Sequence, residues 1–267
     1  MLRGAVLGSP ISHSLSPVLH QGAFDFLGID GSYEAIDLPS GTLFDFFSER
    51  SEEFDYLSLT MPLKEEAFSL NISFDELSQR IGSANTLYRR GDQWHGCSTD
   101  GSGFISALES HSHHNFFHAL ILGAGGTARA IAGALDGRIP SISVLGRTST
   151  RRDALAQCVQ TSSFEYLPWS DLCELAEFDL VINTTPAGAT DLLAENLPAS
   201  IAALLFDVIY KPWPTVLASK WGDRSGPVIN GKELLLWQGI DQLELVINAP
   251  IDRLVLAPHL HDLLAQR

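Results

Sequence analysis

The stretch His118-Ala-Leu-Ile-Leu-Gly-Ala-Gly-Gly-Thr-Ala-Arg129 is an apolar run that gives way to glycines and then to helix-forming residues. This order predicts a buried strand, a tight turn and the start of a helix. Gly123, Gly125 and Ala128 fit the G-x-G-x-x-G/A pattern of dinucleotide-binding turns. Backbone N–H groups and the dipole at the start of the helix favour a bound anion there. We expect the pyrophosphate to contact the turn residues Gly123, Ala124, Gly125, Gly126 and Thr127.

The next predicted strand, Ser141–Leu145, indicates which dinucleotide would bind. An NAD site usually carries Asp or Glu about 20 residues beyond the glycines, where it binds the ribose 2′-hydroxyl. Here the strand runs into Gly146-Arg147-Thr148, and Arg151 follows shortly after. A guanidinium binds a 2′-phosphate through two hydrogen bonds, whereas a carboxylate would repel it. The sequence therefore favours NADP over NAD.

The composition excludes several classes of protein. The chain has 267 residues, 45% of them hydrophobic, which is enough for one large or two small domains. A net charge of −15 argues against nucleic acid and anionic membranes as partners. Cys97, Cys158 and Cys173 form no CxxC pair, which argues against a disulfide framework or a zinc cluster. Without an apolar run of membrane-spanning length or a signal-peptide core, we expect a cytoplasmic protein.

Strand-like and helix-like segments alternate along the chain, which is typical of a parallel α/β protein. The predicted strands cover residues 4–8, 32–38, 55–60, 84–89, 93–96, 119–122, 141–145, 180–183, 204–208 and 228–229. The predicted helices cover residues 16–27, 42–49, 233–248 and 252–265. We interpret the polar segment 109–115 as a linker, and the motif from residue 98 to residue 104 as a turn.

Several short motifs follow one another in an order that resembles the shikimate dehydrogenase family. The resemblance extends from Gly4 to about Gly239. The motifs are Gly8-Ser-Pro-Ile-Ser-His-Ser-Leu-Ser-Pro17, Leu59-Thr-Met-Pro-Leu-Lys64, Gly82-Ser-Ala-Asn-Thr86, Ser98-Thr-Asp-Gly-Ser-Gly-Phe104, Asn183-Thr-Thr-Pro-Ala-Gly188, Asp207-Val-Ile-Tyr-Lys-Pro212 and Asn230-Gly-Lys-Glu-Leu-Leu-Leu-Trp-Gln238.

The resemblance implies a role for the polar residues of these motifs. Ser14, Ser16 and Tyr210 would bind the substrate carboxylate, although capping of the helix that begins near Pro17 would also explain one serine, Ser16 by preference. The substrate-binding set would be completed by Thr60, Lys64, Asn85, Asp100 and Gln238. Thr184 would line the far side of the cofactor, and Val208 and Gly231 would approach the nicotinamide. The predicted cofactor site also includes Gly146, Arg147, Thr148 and Arg151.

The fold that the resemblance implies consists of two α/β domains with a cleft between them. Residues 1–100, completed by C-terminal helices over 235–267, would bind substrate. Residues 101–234 would form a Rossmann-like NADP-binding domain. The implied reaction is the reversible, NADPH-dependent reduction of 3-dehydroshikimate to shikimate, and no metal is needed for it. We expect a monomer or a homodimer.

Hydride arrival at a carbonyl carbon leaves an alkoxide that must gain a proton, so the reaction needs a positioned acid. Lys64 and Asp100 are the catalytic candidates, and the sequence leaves open which of them carries the proton. A quinate/shikimate dehydrogenase of cyclitol catabolism and a non-catalytic NADP-binding regulator remain as alternatives. The chain departs from the family pattern at Ser98, Gly146 and Glu233.

Overall fold

The computed structural model describes residues 1–169 and 175–267, so Cys173 lies outside the described residues. The chain divides into two compact units. Unit 1 contains Met1–Gly103 and Leu235–Arg267, and unit 2 contains Phe104–Leu234. Among the helices of residues 1–169 and 175–267, none combines the length and the apolar character that crossing a bilayer requires.

Unit 1 is built on a mixed six-stranded sheet in the order β2-β1-β3-β5-β6-β4. Its strands are β1 (Leu2–Gly8), β2 (Gly31–Asp37), β3 (Tyr56–Leu59), β4 (Ser73–Phe74), β5 (Thr86–Arg90) and β6 (Gln93–Cys97). Its helices are α1 (Ser16–Leu27), α2 (Leu43–Arg50), α3 (Glu76–Ile81), the first residues of α4 (Asp100–His111), most of α9 (Gly231–Ile247) and α10 (Arg253–Ala265). Strands β1, β2 and β3 are parallel, whereas β5 runs antiparallel to β3 and β6.

Both faces of this sheet are covered. Successive side chains of a strand point to opposite faces, so neighbouring residues of β1 enter two different cores. Val6 packs into a core with Leu19 of α1 and Leu260 of α10. Its neighbours Ala5 and Leu7 join a second core with residues that include Leu43, Leu57 and Leu87. The central strand β1 is therefore apolar at successive positions, as a strand covered on both sides must be.

Unit 2 is a parallel sheet in the order β12-β11-β10-β7-β8-β9. The strands are β7 (His118–Leu122), β8 (Ser141–Gly146), β9 (Ser163–Pro168), β10 (Leu180–Asn183), β11 (Leu204–Asp207) and β12 (Val228–Ile229). The helices between them are α5 (Gly126–Leu135), α6 (Arg152–Ala156), α7 (Asp191–Glu195) and α8 (Val216–Gly222). This doubly wound order confirms the Rossmann-like prediction, and it reverses between β7 and β10, where such sheets bind ligands at the strands' carboxyl ends.

Two local predictions are wrong. The motif at residues 98–104 was expected to be a turn, but Asp100 begins helix α4, and residues 109–111 of the expected linker form its last turn. Two glycines lower the helix propensity of this segment, yet Phe104, Ala107 and Leu108 recur at helical spacing and are buried. A Cβ atom at Gly103 would lie 2.5 Å from the backbone nitrogen of Gln238, so this glycine permits close contact between α4 and α9.

Candidate active site and cofactor turn

Lys64 and Asp100 form a close ion pair in unit 1. Lys64 follows the turn after β3, and Asp100 is the first residue of α4. The Lys64 Nζ donates a hydrogen bond to Asp100 Oδ2 at 2.5 Å, and the two side chains are only 15% and 5% exposed. Because little water reaches the pair, each charge is compensated mainly by the other. Removing either side chain would leave an uncompensated buried charge.

Asn85 holds Asp100 from the other side. Its Nδ2 donates to Asp100 Oδ1 at 2.8 Å and to Gln238 Oε1 at 3.1 Å. Its Oδ1 accepts from the Thr99 backbone N–H and from the Thr86 hydroxyl, both at 2.8 Å. These donors fix the orientation of the amide, so the structure brings together Lys64, Asn85, Asp100 and Gln238, which the sequence analysis had singled out.

A chain of buried hydrogen bonds continues behind Asn85. The Tyr33 hydroxyl donates to Ser58 Oγ at 2.6 Å, and the Ser58 hydroxyl donates to Gln242 Oε1 at 2.9 Å. Gln242 Nε2 then donates to Thr86 Oγ1 at 2.8 Å. We call Tyr33, Ser58, Gln242 and Thr86 the polar chain. No sequence motif predicted the polar chain, although Gln242 follows Gln238 by one helical turn and so lies on the same face of α9.

His20 of α1 lies beside the polar chain. Its ring stacks on Tyr33 with centroids 4.1 Å apart, and its Nδ1 hydrogen-bonds to the Tyr56 hydroxyl at 2.8 Å. Burial lowers the pKa of His20 to about 3, with an opposing effect from the side chain of Gln242. His20 is therefore neutral at physiological pH.

The predicted carboxylate-binding serines flank the start of α1. Ser14 is half-buried and Ser16 is buried. The Ser14 hydroxyl accepts from the Ser16 backbone N–H at 3.3 Å, and the N-cap position is Leu15, with no side-chain capping bond. Capping therefore does not explain Ser16, contrary to that interpretation. Thr60, half-buried at the end of β3, donates its backbone N–H to the Leu7 carbonyl at 2.9 Å.

The glycine turn of unit 2 has the backbone that its sequence predicts. Gly123 has φ +108°, and a Cβ atom there would lie 2.6 Å from Thr184 Oγ1. At Gly125 a Cβ would enter open space, since it would have no heavy atom of the described residues within 4 Å apart from those of its two chain neighbours. Helix α5 begins at Gly126, and the first N–H groups of a helix have no partner within the helix itself. Close approach of a pyrophosphate fits this geometry.

The loop after β8 carries exposed cationic side chains. Arg147, Thr148 and Arg151 are exposed, whereas Gly146 is buried. Arg151 Nη1 donates to the Ala124 carbonyl at 3.2 Å, which joins this loop to the glycine turn. The structure thus brings together two parts of the predicted cofactor site that lie more than twenty residues apart in sequence.

The carboxyl ends of β10 and β11 are fixed by Asp207. Asn183 Nδ2 donates to Asp207 Oδ1 at 3.1 Å, and the Thr215 hydroxyl donates to Asp207 Oδ2 at 2.7 Å. Burial raises the pKa of Asp207, and these hydrogen bonds oppose that effect. Neither Asp207 nor Thr215 was predicted to have this role.

The remaining predicted cofactor residues lie near these strand ends. A Cβ atom at Gly231 would overlap the Val208 carbonyl, so the glycine is required by the backbone next to it. Tyr210, also in unit 2, is half-buried. Glu233, one of the departures from the family pattern, is buried, and its carboxylate lies 3.8 Å from Nε2 of His111.

Unit 2 is a doubly wound sheet with a glycine turn and an arginine loop, and unit 1 carries a buried lysine–carboxylate pair. Together these features define a two-domain NADP-dependent oxidoreductase. Comparison with protein families is more specific. Residues 6–87 match the shikimate dehydrogenase substrate binding domain, and residues 106–208 match the shikimate / quinate 5-dehydrogenase domain. The chain belongs to the shikimate dehydrogenase family.

Individual relatives match over nearly the whole chain. The NADP(+) shikimate dehydrogenase of Staphylococcus aureus is 32% identical over 262 residues, which cover 94% of each chain. The crystal structure of Mycobacterium tuberculosis shikimate dehydrogenase is 33% identical, with a TM-score of 0.87 and coverage of 98% of this chain and 100% of that one. Shikimate 5-dehydrogenase from Thermus thermophilus, solved with NADP(H) and shikimate, is 33% identical, with a TM-score of 0.85 and the same coverage.

Proposed function

We propose that this protein is an NADP-dependent shikimate dehydrogenase, which reduces 3-dehydroshikimate reversibly to shikimate in the biosynthesis of aromatic amino acids. The observation that carries the proposal is the Lys64–Asp100 pair, fixed by Asn85 in a chain of this family. The relatives named above support it, since they include an enzyme solved with both NADP(H) and shikimate.

Lys64 is the proposed proton donor. NADPH, when bound, supplies a hydride to the carbonyl carbon of the substrate. The carbonyl oxygen then gains a pair of electrons and takes a proton from Lys64 Nζ, so that a hydride and a proton together convert the ketone to an alcohol. In the reverse direction Lys64 accepts that proton. Asp100 keeps Lys64 in place and accepts a hydrogen bond from a substrate hydroxyl.

The other predicted substrate residues would determine which ring is accepted. Ser14, Ser16 and Tyr210 would bind the carboxylate, and Thr60, Asn85 and Gln238 would bind the ring hydroxyls. A substrate that lacked one of these groups would leave a buried polar side chain unpaired, which is a strong source of discrimination. We assign substrate binding to residues 1–100 and 235–267, and NADP binding to residues 101–234.

The cofactor would lie along the carboxyl ends of the unit 2 strands. Its pyrophosphate would contact the glycine turn, its 2′-phosphate Arg147, Thr148 and Arg151, and its nicotinamide the backbone of Val208 and Gly231. Thr184, whose hydroxyl donates to the Leu122 carbonyl at 2.8 Å, would line the other side. We further propose that the protein is a cytoplasmic monomer or homodimer.

The test is the initial rate of NADPH or NADH formation, with shikimate and quinate each offered NADP and NAD. We expect turnover of shikimate with NADP, and little with quinate or NAD. The matching family model covers quinate enzymes as well, so comparable rates on quinate would favour the catabolic alternative. No rate with any pair, from a folded protein that binds NADP, would favour the non-catalytic regulator.

A further inference from the structure

Tyr166 of β9 occupies the space beside Gly146, on the neighbouring strand β8. A Cβ atom at position 146 would overlap the Tyr166 hydroxyl and lie within contact of its ring. The same hydroxyl donates a hydrogen bond to the Thr148 carbonyl at 2.6 Å. The glycine and the tyrosine therefore depend on each other, because only a residue without a side chain leaves room for this hydrogen bond.

The loop that follows β8 is consequently anchored at two points from β9. Tyr166 holds the Thr148 carbonyl, and the Trp169 backbone N–H donates to the Gly146 carbonyl at 3.0 Å. Between these anchors lies Arg147, whose side chain is exposed. The backbone on both sides of Arg147 is thus fixed, while its guanidinium remains accessible to a ligand.

Arg151, four residues beyond Arg147, contacts the glycine turn. Burial raises the pKa of Tyr166, and the positive charge of Arg151 opposes that effect. Arg151 also donates to the Ala124 carbonyl in the glycine turn. The loop and the glycine turn are therefore joined by this hydrogen bond.

We propose that Tyr166 is a positioning residue for the cofactor's 2′-phosphate, because it holds the Arg147–Thr148 backbone in the conformation that binds this group. This inference rests on the proposed function. A loop that is already ordered loses less conformational freedom on binding, so the ligand binds more tightly. NAD has no 2′-phosphate, so we expect its affinity to depend less on this loop. Tyr166 thereby contributes to the preference for NADP.

Tyr166→Phe removes the hydroxyl and keeps the ring, and calorimetric titration of the substrate-free protein measures the result. We expect the Kd of 2′,5′-ADP and of NADP to rise about fivefold, with the Kd of 5′-AMP and NAD changed less than about twofold. Tyr88→Phe, which removes a hydroxyl in unit 1, is the matched control and should change none of them. An equal rise in the Kd of all four ligands, or an unchanged Kd for each of them, would overturn the proposal.

A double-mutant cycle tests separately whether Gly146 and Tyr166 are in contact. Gly146→Ala alone places a methyl group against the Tyr166 hydroxyl, and we expect it to raise the Kd of 2′,5′-ADP. With Tyr166→Ala already present, the same Gly146→Ala change should have little further effect, because residues in contact are coupled. Additive effects on the binding free energy would contradict the contact.

The wild type separates this inference from the proposed function. Failure of the wild type to bind 2′,5′-ADP would refute NADP binding itself. Normal binding by the wild type, with the same Kd in Tyr166→Phe, would refute only the role of Tyr166.

Discussion

The two candidate sites hold their polar groups in opposite ways. In unit 1 the side chains of Asn85 and Asp100 are buried, with residue exposures of 2% and 3%, and each is hydrogen-bonded to neighbouring side chains. In unit 2 the side chains of Arg147 and Thr148 are exposed. Reacting groups benefit from an environment that is already oriented and protected from water. A cation that binds a phosphate can remain hydrated until the phosphate arrives.

This difference has an energetic consequence for mutations. Removing one partner from a buried charged pair leaves the other uncompensated, which typically costs several kcal/mol of stability. Removing an exposed side chain usually changes stability by less than about 0.5 kcal/mol. Substitutions in unit 1 should therefore affect both stability and catalysis, whereas those in the arginine loop should affect ligand affinity alone.

Lys64→Ala should give the largest effect. We expect kcat to fall by roughly 10²–10⁴-fold, because the general acid is lost, while the Kd of NADP stays within about twofold. The melting temperature should also fall, since Asp100 loses its ammonium partner. Steady-state kinetics and thermal unfolding measure these quantities, and Lys220→Ala on α8 is the control. A kcat within about threefold of wild type would remove Lys64 from the mechanism.

Arg147→Ala should give an intermediate effect that is confined to the cofactor. We expect the Kd of NADP to rise roughly tenfold, in keeping with the loss of a charge-assisted hydrogen bond, and the Kd of NAD to stay the same. The weakening of NADP binding by added salt should also become shallower. Arg152→Ala is the control, because Arg152 is exposed at the start of α6, directly after that loop. Equal losses for NADP and NAD would refute the assignment.

His20 should have the smallest effect on activity, and its predicted effect is a dependence of stability on pH. Its pKa is about 3 in the folded protein and about 6.5 in an unfolded chain. The unfolded state therefore binds more protons between these values, and stability falls as the pH drops through that window, by up to about 1.4 kcal/mol per pH unit. The stability advantage of wild type over His20→Gln should narrow between about pH 7 and about pH 4.5. Urea unfolding at both pH values tests this, and a constant difference would contradict it.

Local patterns predicted much of the fold, because apolar periodicity and turn residues act over short distances. Helix α1 has the bounds that its sequence predicts, with Pro17 in its first turn and Gly28 in the left-handed conformation at its end. Strand β9 was missed because it lies at the edge of its sheet, buries none of its six residues fully and includes Glu165 and Pro168. Helix α4 was missed because its two glycines resemble a turn.

The candidate site was predictable only where a motif lay within one segment. Lys64, Asn85 and Asp100 each lie in a short motif, and the structure brings their side chains together. Ser58 and Gln242 are 184 positions apart in the sequence, so no spacing rule relates them. Tyr166 was missed for the same reason, because its relation to Gly146 arises from the pairing of two strands.

Unit 1 is discontinuous in the chain, which has a consequence for the order of its synthesis. All of unit 2, from Phe104 to Leu234, is translated before the segment that completes unit 1. Ser58 and Thr86 therefore leave the ribosome well before Gln242, their hydrogen-bond partner, has been made. Domains generally fold as units during translation. Unit 2 can thus acquire all its internal contacts before unit 1 does. The polar groups of residues 1–103 that unit 1 buries remain in water until the C-terminal helices are translated.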